Sequence, residues 1–283
     1  MKNFPLLSVI VSAYDTEQLV EKCIDSLLKQ TYPAIEIIIV GNTSDRNITA
    51  LVSEYQNKYE KIIYKGTESK SFIESRLIGL QASTGEYFTF VNGGDWVGVD
   101  LYRVMMAKAL SADADIVATD RLEYIDDDSF YSPHDMLQQI DWDLHGKEIL
   151  DTLMTQRGLD DGWGVAWNKI YARHLWEDTK AFLNEQENFP STSGDEILSV
   201  AFFAKASHFV NVHHNHYYYN QKQNLLSQHS LDIDLYQKYL SDIQLSFSIG
   251  QKVLQNIVKE SIYTHEWQQW KNNILERWEE KYK

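Results

Sequence analysis

Cysteine is almost missing from this 283-residue chain: Cys23 stands alone. It has no partner for an intramolecular disulfide, and no cysteine cage for zinc can be assembled. Cations are also short, with 26 Lys and Arg against 41 Asp and Glu, and the net charge of −15 disfavours nonspecific nucleic-acid binding through a broad basic face. A local basic pocket for a diphosphate is still compatible with that balance. No apolar run approaches the roughly 20 residues that a membrane-spanning helix needs. The opening Met1-Lys2-Asn3-Phe4-Pro5 leads straight into a strand-like run, with no apolar core of a signal peptide. There is no repeat and no linker rich in Gly, Ser or Pro. The expectation from these absences is a soluble cytoplasmic protein.

Aromatics, in contrast, are plentiful: 8 Trp, 17 Tyr and 11 Phe supply ample material for a packed core. The first hundred residues alternate two periodicities. Leu6 to Val11 is a short apolar run, broken by Ser12-Ala13-Tyr14-Asp15-Thr16. Leu19, Val20, Cys23, Ile24, Leu27 and Leu28 recur at helical spacing, and Ile35 to Val40 is a second apolar run dominated by β-branched residues. A helix through Leu51 and Tyr55, a strand over Lys61 to Tyr64, a helix over Ser71 to Ala82 and a strand over Tyr87 to Val91 follow. Continuous apolar strands separated by helices predict an α/β fold with a mainly parallel central sheet, covered on both faces. Ligands of such sheets bind beyond the carboxyl ends of the strands, so the loops after Val11, Val40 and Val91 are expected to line one site.

Beyond Asp100 the pattern loosens. Leu101 to Leu110 reads as a helix and Ile116 to Thr119 as a strand, while Asp126-Asp127-Asp128 reads as a solvated turn. A helix is expected near Lys147 to Met154 and another opening at Gly194-Asp195-Glu196. His208 to Val212 and Tyr217 to Asn220 read as two short strands, and helix dominates from about Leu231.

Several motifs, each weak alone, carry a resemblance through their order and spacing. Ser8-Val9-Ile10-Val11-Ser12-Ala13-Tyr14-Asp15, Cys23 to Tyr32 and Ile35 to Val40 come first. Ser75-Arg76-Leu77-Ile78-Gly79-Leu80, Ala82 to Tyr87, Trp167-Asn168-Lys169-Ile170-Tyr171 and Asp195-Glu196 complete the set. Together, over roughly residues 6 to 225, they resemble family 2 glycosyltransferases of the bacterial surface-glycan type. The resemblance implies a GT-A, Rossmann-like domain over 1–225, with a nucleotide-binding half (1–100) and an acceptor half (101–225), followed by a C-terminal helical extension (226–283).

It also implies roles for particular residues. Ala13, Tyr14 and Asp15 fall where relatives hold the nucleoside; the other reading is a turn that caps the next helix. The second loop departs from the usual Val-Asp-Asp-Gly-Ser and reads Val40-Gly41-Asn42-Thr43-Ser44-Asp45. Asn42 either accepts from the base through its amide or simply makes a turn. Arg76 presents a planar fork suited to a pyrophosphate or base carbonyl, unless it forms a surface salt bridge with Glu74. Lys70 is a further phosphate candidate.

Where relatives read Phe-Leu-Asp-Ser-Asp-Asp-Trp, this chain reads Phe90-Val91-Asn92-Gly93-Gly94-Asp95-Trp96. Two carboxylates normally hold Mn²⁺ or Mg²⁺ there, because hard divalent ions prefer oxygen ligands and must neutralise a departing diphosphate. Here Asn92 and Gly93 remain for the nucleotide sugar, and Asp95 is the one carboxylate left for metal. The alternative is a glycine-rich turn. A divalent cofactor is therefore an open question of the sequence, whereas a UDP-sugar substrate is what the resemblance implies.

In the acceptor half, Glu196 aligns with the catalytic base of inverting members and Asp195 is its neighbour. A base there deprotonates the acceptor hydroxyl for in-line attack. Acids in a first helical turn also simply complement the helix dipole. Trp163, Trp167 and Lys169 fall on the acceptor side, where rings either stack on sugars or fill the core. His213, His214 and His216 are metal or diphosphate candidates, with a structural role as the alternative. Trp267, Trp270, Ile274 and Trp278 form a helical stripe for packing, for oligomerisation or for a peripheral partner or membrane surface. The expected function is transfer of a sugar from a nucleotide-sugar donor to a glycan or glycoprotein acceptor, with inversion. The alternative is a non-catalytic glycosyltransferase-like binding or scaffold module that has lost its metal-binding acids.

Overall fold

The computed structural model describes residues 4–14, 19–69, 71–126, 129–131, 140–155, 162–192, 194–221, 233–258 and 263–282. Asp15, Lys70 and the Asp127-Asp128 part of the expected acidic turn lie outside them, as do the side chains of His214 and His216.

Strands β1 (Leu7–Ala13), β2 (Ile35–Asn42), β3 (Ile62–Thr67) and β4 (Tyr87–Asn92) alternate with helices α1 (Val20–Leu28), α2 (Arg46–Lys58) and α3 (Phe72–Ala82). The short β5 (Trp96–Val97) and helix α4 (Leu101–Ala112) follow. Then come β6 (Ile116–Asp126), β7 (Ser129–Tyr131), β8 (Asp143–His145), α5 (Lys147–Thr155), β9 (Lys169–Ala172), α6 (Arg173–Asn184), α7 (Asp195–Phe203) and β10 (His208–Asn220). Helices α8 (Ile233–Ile257) and α9 (Thr264–Tyr282) complete the chain. The strands form one ten-stranded sheet in the order β3-β2-β1-β4-β9-β6-β10-β5, with β7 beside β6 and β8 beside β10. Strands β1 to β4 pair in parallel, and so do β6 and β10; β9 runs against both β4 and β6. The carboxyl ends of β1, β2, β4, β6 and β10 thus lie along one edge of the sheet.

Strand alternation divides the core. Leu7, Val9, Val11 and Ala13 of β1 and Ile35, Ile37 and Ile39 of β2 point into a cluster with α1, α2 and α4. Ile10, Ile38, Val40, Phe88 and Phe90 point the other way, onto α3, α7 and the C-terminal helices. This is the period-2 geometry of strands buried on both faces. Two segments expected as separate strands are one: β10 runs from His208 to Asn220, with its register against β6 shifting between Val212 and Tyr217. The irregularity lets a single strand serve both ends of the sheet.

The C-terminal tryptophan stripe is covered within the chain. Trp267, Trp270, Ile274 and Trp278 are all buried, Trp267 donates its indole N–H to the Phe247 carbonyl at 2.9 Å, and Trp278 stacks on Tyr239. No helix among the described residues is long and apolar enough to cross a membrane.

Helix α3 approaches the sheet through Gly79. A Cβ there would lie 2.3 Å from Ile10 Cγ2 in the middle of β1. Valine at this position would gain helix propensity of only a few tenths of a kcal/mol over glycine, whereas forcing carbon into a packed interface costs about 1–3 kcal/mol. Gly79→Val is therefore expected to lower the unfolding free energy by about 1–3 kcal/mol, measured by urea denaturation; an unchanged midpoint would contradict this contact.

Candidate active site

The carboxyl edge of the sheet gathers most of the residues singled out from sequence. At its centre is Arg76, on the buried side of α3 and 2 % exposed. Its Nη2 donates to Asn92 Oδ1 at 3.1 Å, and Nη1 is ion-paired with Asp195 at the start of α7. The guanidinium lies 5.4 Å from the Phe90 ring, and its Nε has no hydrogen-bond partner among the described residues. Burial lowers its pKa to about 10, opposed by the nearby charges of Asp95 and Glu196 and by Tyr217 and Tyr171. It remains cationic at neutral pH. The alternative of a surface bridge to Glu74 gives way to a buried tie between the β4 loop and the start of α7.

The loop after β4 is a closed hydrogen-bonded turn. Asp95 N–H donates to the Asn92 carbonyl at 3.0 Å, and Gly93 N–H donates to the Ser12 carbonyl of β1 at 2.9 Å. Asp95 is 3 % exposed, and both its oxygens face inward. Oδ2 accepts from Asn92 Nδ2 at 2.9 Å and from the Tyr217 hydroxyl at 2.8 Å; Oδ1 accepts from the Asn220 backbone N–H at 2.9 Å. Asn220 also donates its side-chain amide to the Gly94 carbonyl at 3.3 Å. The carboxylate therefore fastens the β4 loop to the end of β10. These residues do not fit a divalent ion on a diphosphate: Gly94 offers no ligand, Asn92 has both ends of its amide engaged, and Asp95 is satisfied by three protein donors. Trp96 is half-buried; it stacks on Tyr218, meets Tyr124 edge-on and lies 3.1 Å under the Lys22 ammonium.

The two acids of α7 face different surroundings. Gly194, at φ +126°, lets the backbone turn sharply beside Ile73 and start the helix, a conformation that favours glycine. Asp195 then points to Arg76 with 18 % of its side chain exposed. Glu196, 2 % exposed, turns into the core and is hydrogen-bonded by Ser246 of α8. Burial raises the Glu196 pKa, with the Ser246 hydroxyl acting against it. The approach to α7 is held from the same helix: Asp242 Oδ2 accepts from the N–H and hydroxyl groups of both Ser191 and Thr192, at 2.7 to 3.1 Å.

Tyr14 is buried and packs edge-on against Phe72 at 5.7 Å; burial and the charge of Glu74 push its pKa up to about 12. Ala13 ends β1 beside it. Asn42 ends β2, and its amide oxygen accepts from Ser44 N–H at 2.9 Å, forming a local turn before Asp45 caps α2. Trp163 and Lys169 show no exposed surface. Trp163 stacks on Phe209, while the Lys169 ammonium donates to the carbonyls of Gly162 and Val165 and to Asn168 Oδ1 at 2.6 to 2.9 Å. Lys169 thus shapes the 162–168 loop from within. Trp167 is 6 % exposed and lies against Tyr217 and Tyr219. His213 sits between Asp120 and Asp141, at 3.4 and 3.0 Å.

Arg76, Asn92, Gly93, Asp95 and Asp195 are thereby brought into one connected network; Asn42, Trp163 and Lys169 are not members of it. Tyr217 and Asn220 complete the network through Asp95, and Asp242 holds the segment before α7; none of the three was singled out. Tyr217 was visible as part of an aromatic run, but one Asp within a long helix gives no sequence signal.

The mainly parallel sheet covered by helices is an α/β architecture, and its likeness to solved glycosyltransferases such as TarS gives it the GT-A fold. Residues 8–169 match Glycosyl transferase family 2, more than half of the chain, which therefore belongs to that family. Among curated relatives, it is 26 % identical to an uncharacterized glycosyltransferase EpsJ of Bacillus subtilis (strain 168) over 224 residues, covering 79 % of this chain and 63 % of that one. It is likewise 26 % identical to glycosyltransferase GlyA of Streptococcus pneumoniae serotype 4, over 62 % of this chain and 25 % of GlyA. The chain thus spans less than two thirds of either relative. Of solved structures, S. aureus TarS 1-349 in complex with UDP-GlcNAc superposes with a TM-score of 0.63 at 18 % identity, covering 89 % of this chain and 71 % of TarS 1-349. The mannosyltransferase PcManGT of Pyrobaculum calidifontis, in complex with GDP-Man and Mn²⁺, gives 0.58 at 14 % identity, covering 91 % and 69 %.

Burial raises the Asp95 pKa from 3.8 to about 6, against the lowering effect of its three donors and Arg76. A carboxyl raised in the native state holds its proton more tightly there than in the unfolded chain, so its ionisation opposes folding. That contribution to stability is complete below the unfolded value of 3.8 and is lost as pH rises through about 6. Asp95→Asn is therefore expected to become more stable relative to the parent chain between pH 4 and 7. Denaturant unfolding at several pH values measures the difference; a pH-independent gap would refute it.

Proposed function

We propose that this chain transfers a sugar from a UDP-sugar to a glycan acceptor, with inversion, using Asp195 as the base. The observation that carries the reading is the Arg76 bridge. One buried guanidinium holds both Asn92, on the loop where the donor is expected, and Asp195, the more exposed of the two acids. A base must reach the acceptor hydroxyl while the donor is held in line, and Arg76 fixes the relative position of the two loops that do this. Asp195 is preferred to Glu196 because Glu196 is enclosed against Ser246.

Ala13, Tyr14, Asn42, Asn92 and Gly93 border the carboxyl edge of the sheet, the usual ligand crevice of such folds. On this reading they form the donor side, and the 162–168 loop, shaped by Lys169 and carrying Trp167, borders the acceptor. The acceptor oxygen attacks the anomeric carbon, the bond to the diphosphate breaks, and Asp195 takes the hydroxyl proton. The choice of UDP is supported by the UDP-GlcNAc-bound structural neighbour, and no step is assigned to a metal. The engaged state of Asp95 favours one other reading, a binding module without turnover.

The test is a screen of nucleotide sugars for release of nucleoside diphosphate, with UDP calorimetry on the same protein in EDTA and in Mn²⁺. UDP-sugar turnover is expected, and Asp195→Asn should reduce it by about 10²–10⁴-fold while UDP affinity is retained. Full turnover by that variant would remove Asp195 from the mechanism. UDP binding with no release from any donor would support the binding module instead.

A further inference from the structure

The opposite end of β10 carries a second cluster of chemistry-bearing side chains. His208 opens β10, and the antiparallel register places it directly opposite His145 of β8, with Asp143 opposite Val210. The two imidazoles lie nearly parallel, with centroids 4.2 Å apart and planes at 17°. Both Nε2 atoms approach the same oxygen: Asp143 Oδ1 is 2.8 Å from His208 and 3.1 Å from His145. Among the described residues, these three side chains are the group whose ligand atoms all lie within 4.8 Å of one another.

We propose that Asp143, His145 and His208 form a binding site for a borderline divalent transition ion, with Zn²⁺ as the representative. Two imidazole nitrogens and one carboxylate oxygen are ligands that Zn²⁺ favours, and bonds of about 2.0–2.2 Å imply ligand separations of about 3.3 Å in a tetrahedral site. The observed 2.8 and 3.1 Å need only a small opening. Asp143 and His145 are 70 % and 65 % exposed and free to make it, with water completing the coordination. His208 is the fixed member. Its backbone N–H and the N–H and hydroxyl of Ser207 all donate to Asp115 Oδ2, at 2.6 to 3.2 Å.

The site lies far along β10 from Tyr217 and Asn220, so it is independent of the donor crevice. An ion there would fasten β8 to β10 through three side chains, whereas of the two contacts to Asp143 Oδ1 only that of His208 crosses between the strands. Lys108 of α4 acts on Asp143 through its charge and opposes a cation. It sets a limit on affinity without blocking the three donors.

The test uses the full chain, stripped with EDTA and dialysed, titrated with Zn²⁺ by calorimetry and with Co²⁺ by visible absorption. One Zn²⁺ per chain is expected, along with a cobalt spectrum containing nitrogen-ligand d–d bands and a rise in the thermal unfolding midpoint. His145→Ala alters an exposed side chain, so its fold is expected to match the parent in EDTA by circular dichroism. It should bind Zn²⁺ at least tenfold more weakly, and so should His208→Ala. Absence of saturable binding to the parent would overturn the proposal, as would binding that His145→Ala leaves unchanged, since the ion would then be held elsewhere.

Discussion

The structure turns on one buried positive charge. Arg76 is removed from water and survives there because two loops supply its partners, Asn92 from the sheet and Asp195 from the helix across from it. Removing one partner from a buried ion pair typically costs about 3–5 kcal/mol, because the other charge is left uncompensated. The two loops therefore cannot move independently. In a fold whose chemistry depends on bringing a donor and a base together, such a charge serves alignment more than stability.

This arrangement also gives meaning to the departures in the β4 loop. An acid at position 92 would compete with Asp195 for the same guanidinium. Asn92 instead accepts from Arg76 at one end and donates to Asp95 at the other, so a neutral amide links cation and carboxylate. Asp95 in turn holds Tyr217 and Asn220. The charges of Asp195, Arg76 and Asp95 thus sit in a closed chain of polar contacts running from α7 to β10. Helix α8 holds the two sides of the turn into α7, with Asp242 accepting from Ser191 and Thr192 and Ser246 donating to Glu196.

The first hundred residues were legible because their signals are local. Apolar runs of five or six residues, broken by polar loops, give β1, β2 and β4 nearly to the residue. The resemblance singled out Arg76 and Asn92 for the donor and Asp195 beside the base, and the structure brings the three into contact; what each one does depends on side-chain direction. Asp195 and Glu196 are neighbours in sequence, and only the sharp turn at Gly194 and the presence of α8 decide which one faces Arg76. Tryptophan and lysine in the 162–171 segment were ambiguous for a similar reason. Burial of Lys169 follows from three acceptors that its own loop wraps around the ammonium, which no periodicity reveals. The single strand over 208–220 escaped because its irregular middle interrupts the alternation.

Cys23 lies beneath the β4 loop, fully buried, with its sulfur 3.8 Å from the Asn92 carbonyl. Burial and the adjacent charge of Asp95 raise its pKa, so the nucleophilic thiolate is suppressed. The only thiol of the chain is thus chemically silent although it supports the candidate donor loop from below. Oxidants and alkylating reagents have no purchase on the folded protein through cysteine. A cysteine introduced anywhere on its surface would be the one reactive thiol, giving probes of loop motion a background free of competing labels.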